Sequence, residues 1–238
     1  MYTYVKFSVD LAVAIISLFL LAFVLGIVSI FIKVDSKGPV LFKQQRSGKD
    51  KKPFTIYKFR TMTTDAPKNA PTCELQDATH YITRVGNVMR KLSIDELPQL
   101  LNIIKGEMSF VGPRPVILNE VDLIYERDKY NANSCKPGIT GWAQANGRDE
   151  INFYDKARMD GEYTEKLGLM MDLRCLAKTV ETILFAKGYQ EGARTIPMPQ
   201  QPAIQVPAFY SQIKSVSKAV NRPIRRRQAT SEAQHANT

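Results

Sequence analysis

The residues best equipped for chemistry lie in the run 90–115, RKLSIDELPQLLNIIKGEMSFVGPRP, where Asp95 and Glu96 are adjacent and Arg114 follows between two prolines. Asp95 suits a helix N-cap, because Pro98 then falls in the first turn, where its missing N–H is one that a helix leaves unpaired. Ser93 is the competing start: with Glu96 it would form a capping box, but it pushes Pro98 one step deeper, so Asp95 is preferred. Either start sets both acids at the positive end of a helix dipole, which favours charged carboxylates and a bound phosphate or metal-phosphate. Gly106 ends that helix. The Gly112-Pro113-Arg114-Pro115 corner then holds a planar fork of donors on stiff backbone, a good match to phosphate oxygens. The bland alternative is a capping pair with Arg114 as its surface partner.

Composition limits what surrounds these residues. A chain of 238 residues holds one ordinary domain with an anchor or tail. Its net charge of +10 implies an anionic partner, and nucleic acid, acidic lipid and a nucleotide diphosphate all qualify. Cys73, Cys135 and Cys175 lack metal-ligand spacing and read as free thiols, with no disulfide or zinc site. His80, the only histidine before the polar tail, sits in a polar loop, so site chemistry must rest on carboxylates, Arg, Lys or a hard metal.

The elements that must position the acids follow in chain order. Residues 11–32 carry no charge and are long enough to cross a bilayer core of about 30 Å. Dense positive charge after this run, from Lys33 to Lys52, against Lys6 alone before it, places the globular part in the cytoplasm. Taken alone, that rule sends the N-terminus outside. Segments 39–46 and 53–62 read as a β-hairpin whose Lys58 and Arg60 share a face, either a charged edge strand or a basic strand at a phosphate site. Residues 65–81 read as an irregular loop, and 83–92 as a helix that delivers Arg90 and Lys91 to Asp95. A helix is predicted over 116–130, a Gly-rich loop with Trp142, Gln144, Asn146 and Arg148 over 136–148, and a charged helix over 153–166. The apolar stretch 167–187 is interrupted by charge and cannot span, so it is an interfacial amphipathic helix or a core helix. The fold class is therefore α+β: a membrane-embedded helix (1–33), a small, mostly helical catalytic domain with a short hairpin (34–192), and a basic, disordered tail (193–238).

Four stretches carry a family resemblance: KFSVD at 6–10, IYKFRTM at 56–62, SIDELPQLLNIIKGEMSFVGPRP at 93–115 and KPGITGWAQANGR at 136–148. In this order they resemble the bacterial sugar transferases, the monotopic phosphoglycosyl transferases, which move a sugar phosphate from a nucleotide sugar onto a polyprenyl phosphate. The resemblance implies a re-entrant N-terminal helix with both ends cytoplasmic, although relatives turn at a Ser-Pro pair and this chain has Ala22-Phe23 there. It also implies a two-step reaction at the cytoplasmic face of the bacterial inner membrane. Asp95 attacks the phosphorus next to the sugar, UMP leaves, and the lipid phosphate then takes the hexose-1-phosphate, the opening step of surface glycan synthesis.

A carboxylate approaching a diphosphate meets repulsion of about 4 kcal/mol per charge pair at 4 Å and an effective dielectric near 20. Mg²⁺ held by Glu96 would offset it, with Arg90, Arg114 and Arg148 spreading the remaining charge. Lys58, Arg60, Gln144 and Asp160 complete the expected substrate contacts. The implied partners are a UDP-sugar, polyprenyl phosphate and the lipid bilayer, with no nucleic acid and with room for a homodimer. Two other classes stay open: a membrane-anchored basic adaptor without catalysis, and a Mg²⁺-dependent membrane hydrolase.

Overall fold

The structure, a computed structural model, describes residues 1–67, 78–147, 151–184 and 210. It opens with α1 (Tyr2–Asp35), a helix of 34 residues that runs without a break through Ala22, Phe23 and Gly26. Its core-facing stripe is narrow. Ala14, with Leu18 and Leu21, packs on Phe54, Ile56, Leu100, Ile103 and Met108, while Leu25, Val28 and Ile32 pack with Phe59 and Met89. The rest is bare hydrocarbon, with Phe19 81% and Phe23 79% exposed. A helix apolar on all sides but bare on most of them needs a non-aqueous neighbour. Among the described residues α1 is the one helix long and apolar enough to cross a membrane.

Both ends of α1 are tied to the same globular body. At the start, Lys6 meets Asp172 at 2.5 Å and the Ser109 hydroxyl donates to Asp10 at 2.6 Å. At the finish, Asp35 accepts from the backbone N–H of Val85 at 3.0 Å, and Arg60 donates to the carbonyls of Ser36, at 2.7 Å, and Lys37. Gly38 has φ +127°, and a Cβ there would collide with the Arg60 guanidinium, so this corner requires glycine.

The expected hairpin forms from β1 (Leu41–Ser47) and β2 (Pro53–Phe59), antiparallel, with Gln44 opposite Ile56. After the short helices α2 (Ala78–Tyr81) and α3 (Arg84–Lys91), the latter capped by the Thr83 side chain, the chain enters the acidic stretch. There a 3₁₀ turn (Ile94–Gln99) precedes α4 (Leu100–Ile104). Next come β3 (Ser109–Val111), α5 (Val121–Lys129), β4 (Gly138–Thr140), α6 (Trp142–Gly147), α7 (Phe153–Glu165) and α8 (Leu169–Leu184). The α+β assignment holds, with four corrections to the predicted elements, the first being that α2 forms at the end of the stretch 65–81 read as an irregular loop.

Residues 136–148 are not a plain loop. β4 pairs in parallel with β3, and α6 follows directly. A Cβ on Gly112 would meet the Lys136 carbonyl oxygen at 2.4 Å, so the two backbones approach through glycine. The helix expected over 116–130 begins only at Val121, because Val116 and Ile117 pair with the end of β1. Asp95 is not the N-cap: Ser93 is, with φ 56°, and its side chain makes no capping bond. A 3₁₀ turn seats Pro98 without an α-helical start, which removes the argument that favoured Asp95.

Within the stretch 167–187, the described part from residue 169 to 184 is an amphipathic helix with one face against the core. α8 buries Met171, Asp172 and Cys175 and leaves Leu169, Met170, Leu173, Leu176 and Val180 exposed at helical spacing. Cys135 and Cys175 are free thiols, whereas Cys73 lies outside the described residues. The predicted tail also lies outside them except for Tyr210, which packs edge-on against Tyr125 and donates to Asp128.

Candidate active site

β2 and the 3₁₀ turn lie side by side, and this packing sets Lys58 against Glu96. Lys58 Nζ donates to Glu96 Oε1 at 2.7 Å, and Arg114 Nη2 donates to the same oxygen at 3.0 Å. Burial opposes the Glu96 charge, but Arg114 and Lys58 override it and hold the carboxyl below the usual carboxylate range. Burial in turn lowers Lys58, with Glu96 working against that shift.

Asp95 is different. Its carboxylate accepts no hydrogen bond among the described residues, although the charges of Lys58, Arg90 and Arg114 act on it. Burial, helped by the neighbouring Glu96, pushes its carboxyl upward. One acid is thus locked between two cations, while the other stands free among three. The free one has both carboxylate oxygens to offer a substrate, the locked one only Oε2.

Each cation is itself held. The Arg90 Nε donates to the Thr61 hydroxyl at 2.8 Å. Gln144, with its amide set by its neighbours, accepts from Arg114 Nη1 at 3.1 Å and donates to the Ile139 carbonyl at 3.2 Å. Arg127 Nη1 donates to the Arg114 carbonyl at 3.0 Å and is paired through Nη2 with Asp160, both side chains being buried.

The fold therefore gathers Asp95, Glu96, Lys58, Arg90, Arg114 and Gln144 at one place. Arg60 is elsewhere, since β2 ends at Phe59 and the guanidinium turns to the carbonyls that end α1. Asp160 reaches the site only through Arg127, as a brace on the corner that carries Arg114. Arg148 lies outside the described residues. Sequence reading missed Thr61 and Arg127. The latter had no signal beyond a charge on a helix face.

Two carboxylates without a third ligating side chain do not make an all-protein metal cage, and among the described residues no cluster of three or more His, Cys, Asp or Glu occurs. They do fit Mg²⁺, which keeps waters and takes one or two carboxylates beside substrate phosphates. Both bonds to Glu96 fall on Oε1, so Oε2 is the oxygen available for such a role.

The family model described as bacterial sugar transferase matches residues 1–186. The chain belongs to the bacterial sugar transferase family. Within it, the chain is 42% identical over 160 residues to the uncharacterized sugar transferase EpsL of Bacillus subtilis, covering 67% of this chain and 77% of EpsL. It is 38% identical over 192 residues to the undecaprenyl-phosphate glucose phosphotransferase of Komagataeibacter xylinus. That match takes in 76% of this chain and 36% of the relative. It is also 35% identical over 198 residues to the exopolysaccharide production protein ExoY of Sinorhizobium fredii, covering 77% and 87% of the two chains. The chain thus spans most of the shorter family members and about a third of the Komagataeibacter one. Lys58, Asp95, Glu96, Arg114 and Gln144 lie inside three of the four resembling stretches, and Arg90 lies just before the third.

Proposed function

We propose that this sugar transferase moves a hexose-1-phosphate from a UDP-sugar to polyprenyl phosphate, releasing UMP, as the initiating step of a surface glycan. The observation that carries the reading is the unbonded Asp95 carboxylate within the field of Lys58, Arg90 and Arg114. Relatives named as undecaprenyl-phosphate glucose or N-acetylgalactosamine phosphotransferases support the substrate class.

In the first step an Asp95 oxygen forms a bond to the sugar-linked phosphorus, the bond from that phosphorus to the UMP oxygen breaks, and UMP leaves with the electron pair. In the second, an oxygen of polyprenyl phosphate attacks the phosphosugar-aspartate, and the Asp95 carboxylate is released unchanged. Splitting the reaction lets one nucleophile serve two bulky substrates in turn. Lys58, Arg90 and Arg114 lower the repulsion of each approach, and Gln144 orients Arg114. Glu96 is the residue that would hold Mg²⁺, which would supply further neutralisation of phosphate charge.

The anchor reading belongs to the same proposal. That both ends of α1 contact one body supports a reading in which both ends lie on the cytoplasmic face of the inner membrane and the bare side of the helix meets lipid. Val88 on α3, Leu92 just after it and the apolar stripe of α8 are further exposed apolar side chains. This keeps the acids close to a lipid-borne acceptor.

The test is to incubate the purified protein with UDP-sugars, with and without polyprenyl phosphate, and to follow UMP and lipid-linked sugar. Lipid-linked product with matching UMP is expected. Sustained UMP release with free sugar phosphate and no acceptor would make the protein a hydrolase, and no UMP from any UDP-sugar would make it an adaptor.

A further inference from the structure

Arg46, which the mechanism above does not use, lies near the end of β1 opposite Phe54. Its Nη1 donates to the Pro115 carbonyl at 3.1 Å, and the next residue, Ser47, donates its backbone N–H to the Val116 carbonyl at 2.9 Å. The Arg114 corner is thus held by two arginines, Arg127 on the carbonyl of residue 114 and Arg46 on that of residue 115.

The two braces differ in their charge balance. Arg127 is neutralised by Asp160. Arg46 has no carboxylate within ion-pair distance among the described residues, and its buried Nε has no hydrogen-bond partner. The charges that act on it are Glu120, Arg114 and Glu96. Glu120 spends one carboxylate oxygen on the backbone N–H of Ile117 at 2.8 Å, and Glu96 is already claimed by Lys58 and Arg114. A guanidinium enclosed in this way without a counter-ion is costly unless an anion arrives nearby.

We propose that Arg46 is a positioning residue of the phosphate site: it fixes the Arg114 corner through the Pro115 carbonyl and leaves the site with excess positive charge that a bound diphosphate balances. This rests on the functional reading above only in taking the ligand to be a phosphate anion. Its burden differs from that of Arg127, whose role is complete without ligand.

The test measures pyrophosphate binding by calorimetry on the full chain in detergent, with thermal melting in parallel, for the native protein, Arg46→Lys and Arg46→Gln. Gln keeps a donor for Pro115 and loses the charge; Lys keeps both. The expected result is pyrophosphate binding about tenfold weaker in Arg46→Gln, from the loss of one unit charge near the anion, and near-native binding in Arg46→Lys. Without ligand, Arg46→Gln should melt no lower than Arg46→Lys, because it removes the uncompensated charge, whereas a merely structural role for that charge predicts a lower melting temperature. Equal affinity of Arg46→Gln and the native protein overturns the proposal, as does equal loss in both variants or no binding by the native protein. A native protein that binds pyrophosphate but releases no UMP from any UDP-sugar would leave the Arg46 assignment standing and remove the transferase reading.

Discussion

Lys6, on the first turns of the apolar helix, and Asp172, on the first turns of the last described helix, form an ion pair of 2.5 Å between positions 166 residues apart. Asp172 also accepts from the Tyr163 hydroxyl at 2.7 Å, and Tyr163 lies 2.9 Å from the Val111 carbonyl, one residue before the corner that carries Arg114. The long apolar helix and the Arg114 corner therefore share one polar junction.

Asp172→Asn takes from the enclosed Lys6 its nearer counter-charge and leaves only Asp10, at 3.9 Å. Breaking a buried pair from one side costs about 3–5 kcal/mol, so the melting temperature in detergent should drop clearly. The double variant Lys6→Met, Asp172→Leu should recover part of that loss, because neither charge is then stranded. Equal and additive losses would show that the pair carries no coupling.

The anchor geometry makes a topological prediction. A cysteine placed at Thr3 and another at Lys37 should both resist an impermeant thiol reagent in intact cells and react once the cells are opened. Ready labelling of the Thr3 site in intact cells would establish a spanning helix.

Asp160→Asn strands Arg127 and loosens the Arg114 carbonyl. The expected outcome is a stability loss of about 3–5 kcal/mol, together with a fall in turnover at temperatures where the variant remains folded. Unchanged turnover per folded molecule would make Asp160 purely structural.

Tyr210 gives a pH-dependent prediction. Burial opposes the Asp128 charge, but hydrogen bonds from Asn133, Lys51 and Tyr210 prevail and hold its carboxyl below the usual range. A depressed folded value means that this stability is complete above the unfolded aspartate value of about 3.9 and is lost as pH falls through the depressed one. Tyr210→Phe removes one of those bonds, worth about 0.5–1.5 kcal/mol. Its acid-unfolding midpoint should move to higher pH while UMP release at neutral pH is unaffected. An unmoved midpoint would mean that the contact contributes nothing in solution.

Much of the site was legible because chemistry and backbone punctuation coincide in one run: Asp95, Glu96 and Arg114 are flanked by Gly and Pro, and the structure brings them together. Alternation along β2 put Lys58 and Arg60 on one face, and the family resemblance chose the phosphate site over a charged edge strand. The same alternation misplaced Arg60, because the strand ends at Phe59 and local period carries no information about where a strand stops. β3 and β4 are three residues each and hold only through pairing with one another, so no periodic pattern announced them. Val116 and Ile117 looked helical in composition, yet pairing with β1 outweighed propensity. Arg46 and Arg127 act on carbonyls remote in sequence, which only the folded chain reveals.

The central claim is that Asp95 is the nucleophile and Glu96 is not. Glu96 is committed to Lys58 and Arg114, whereas Asp95 has unshared lone pairs. Radiolabelled UDP-sugar, incubated without lipid acceptor, quenched by denaturation and followed by peptide mapping, tests this most directly. The account predicts label on the peptide at Asp95, none in Asp95→Asn, and slower but correctly placed labelling in Glu96→Gln. Label on Glu96, or full turnover with no adduct, would contradict it.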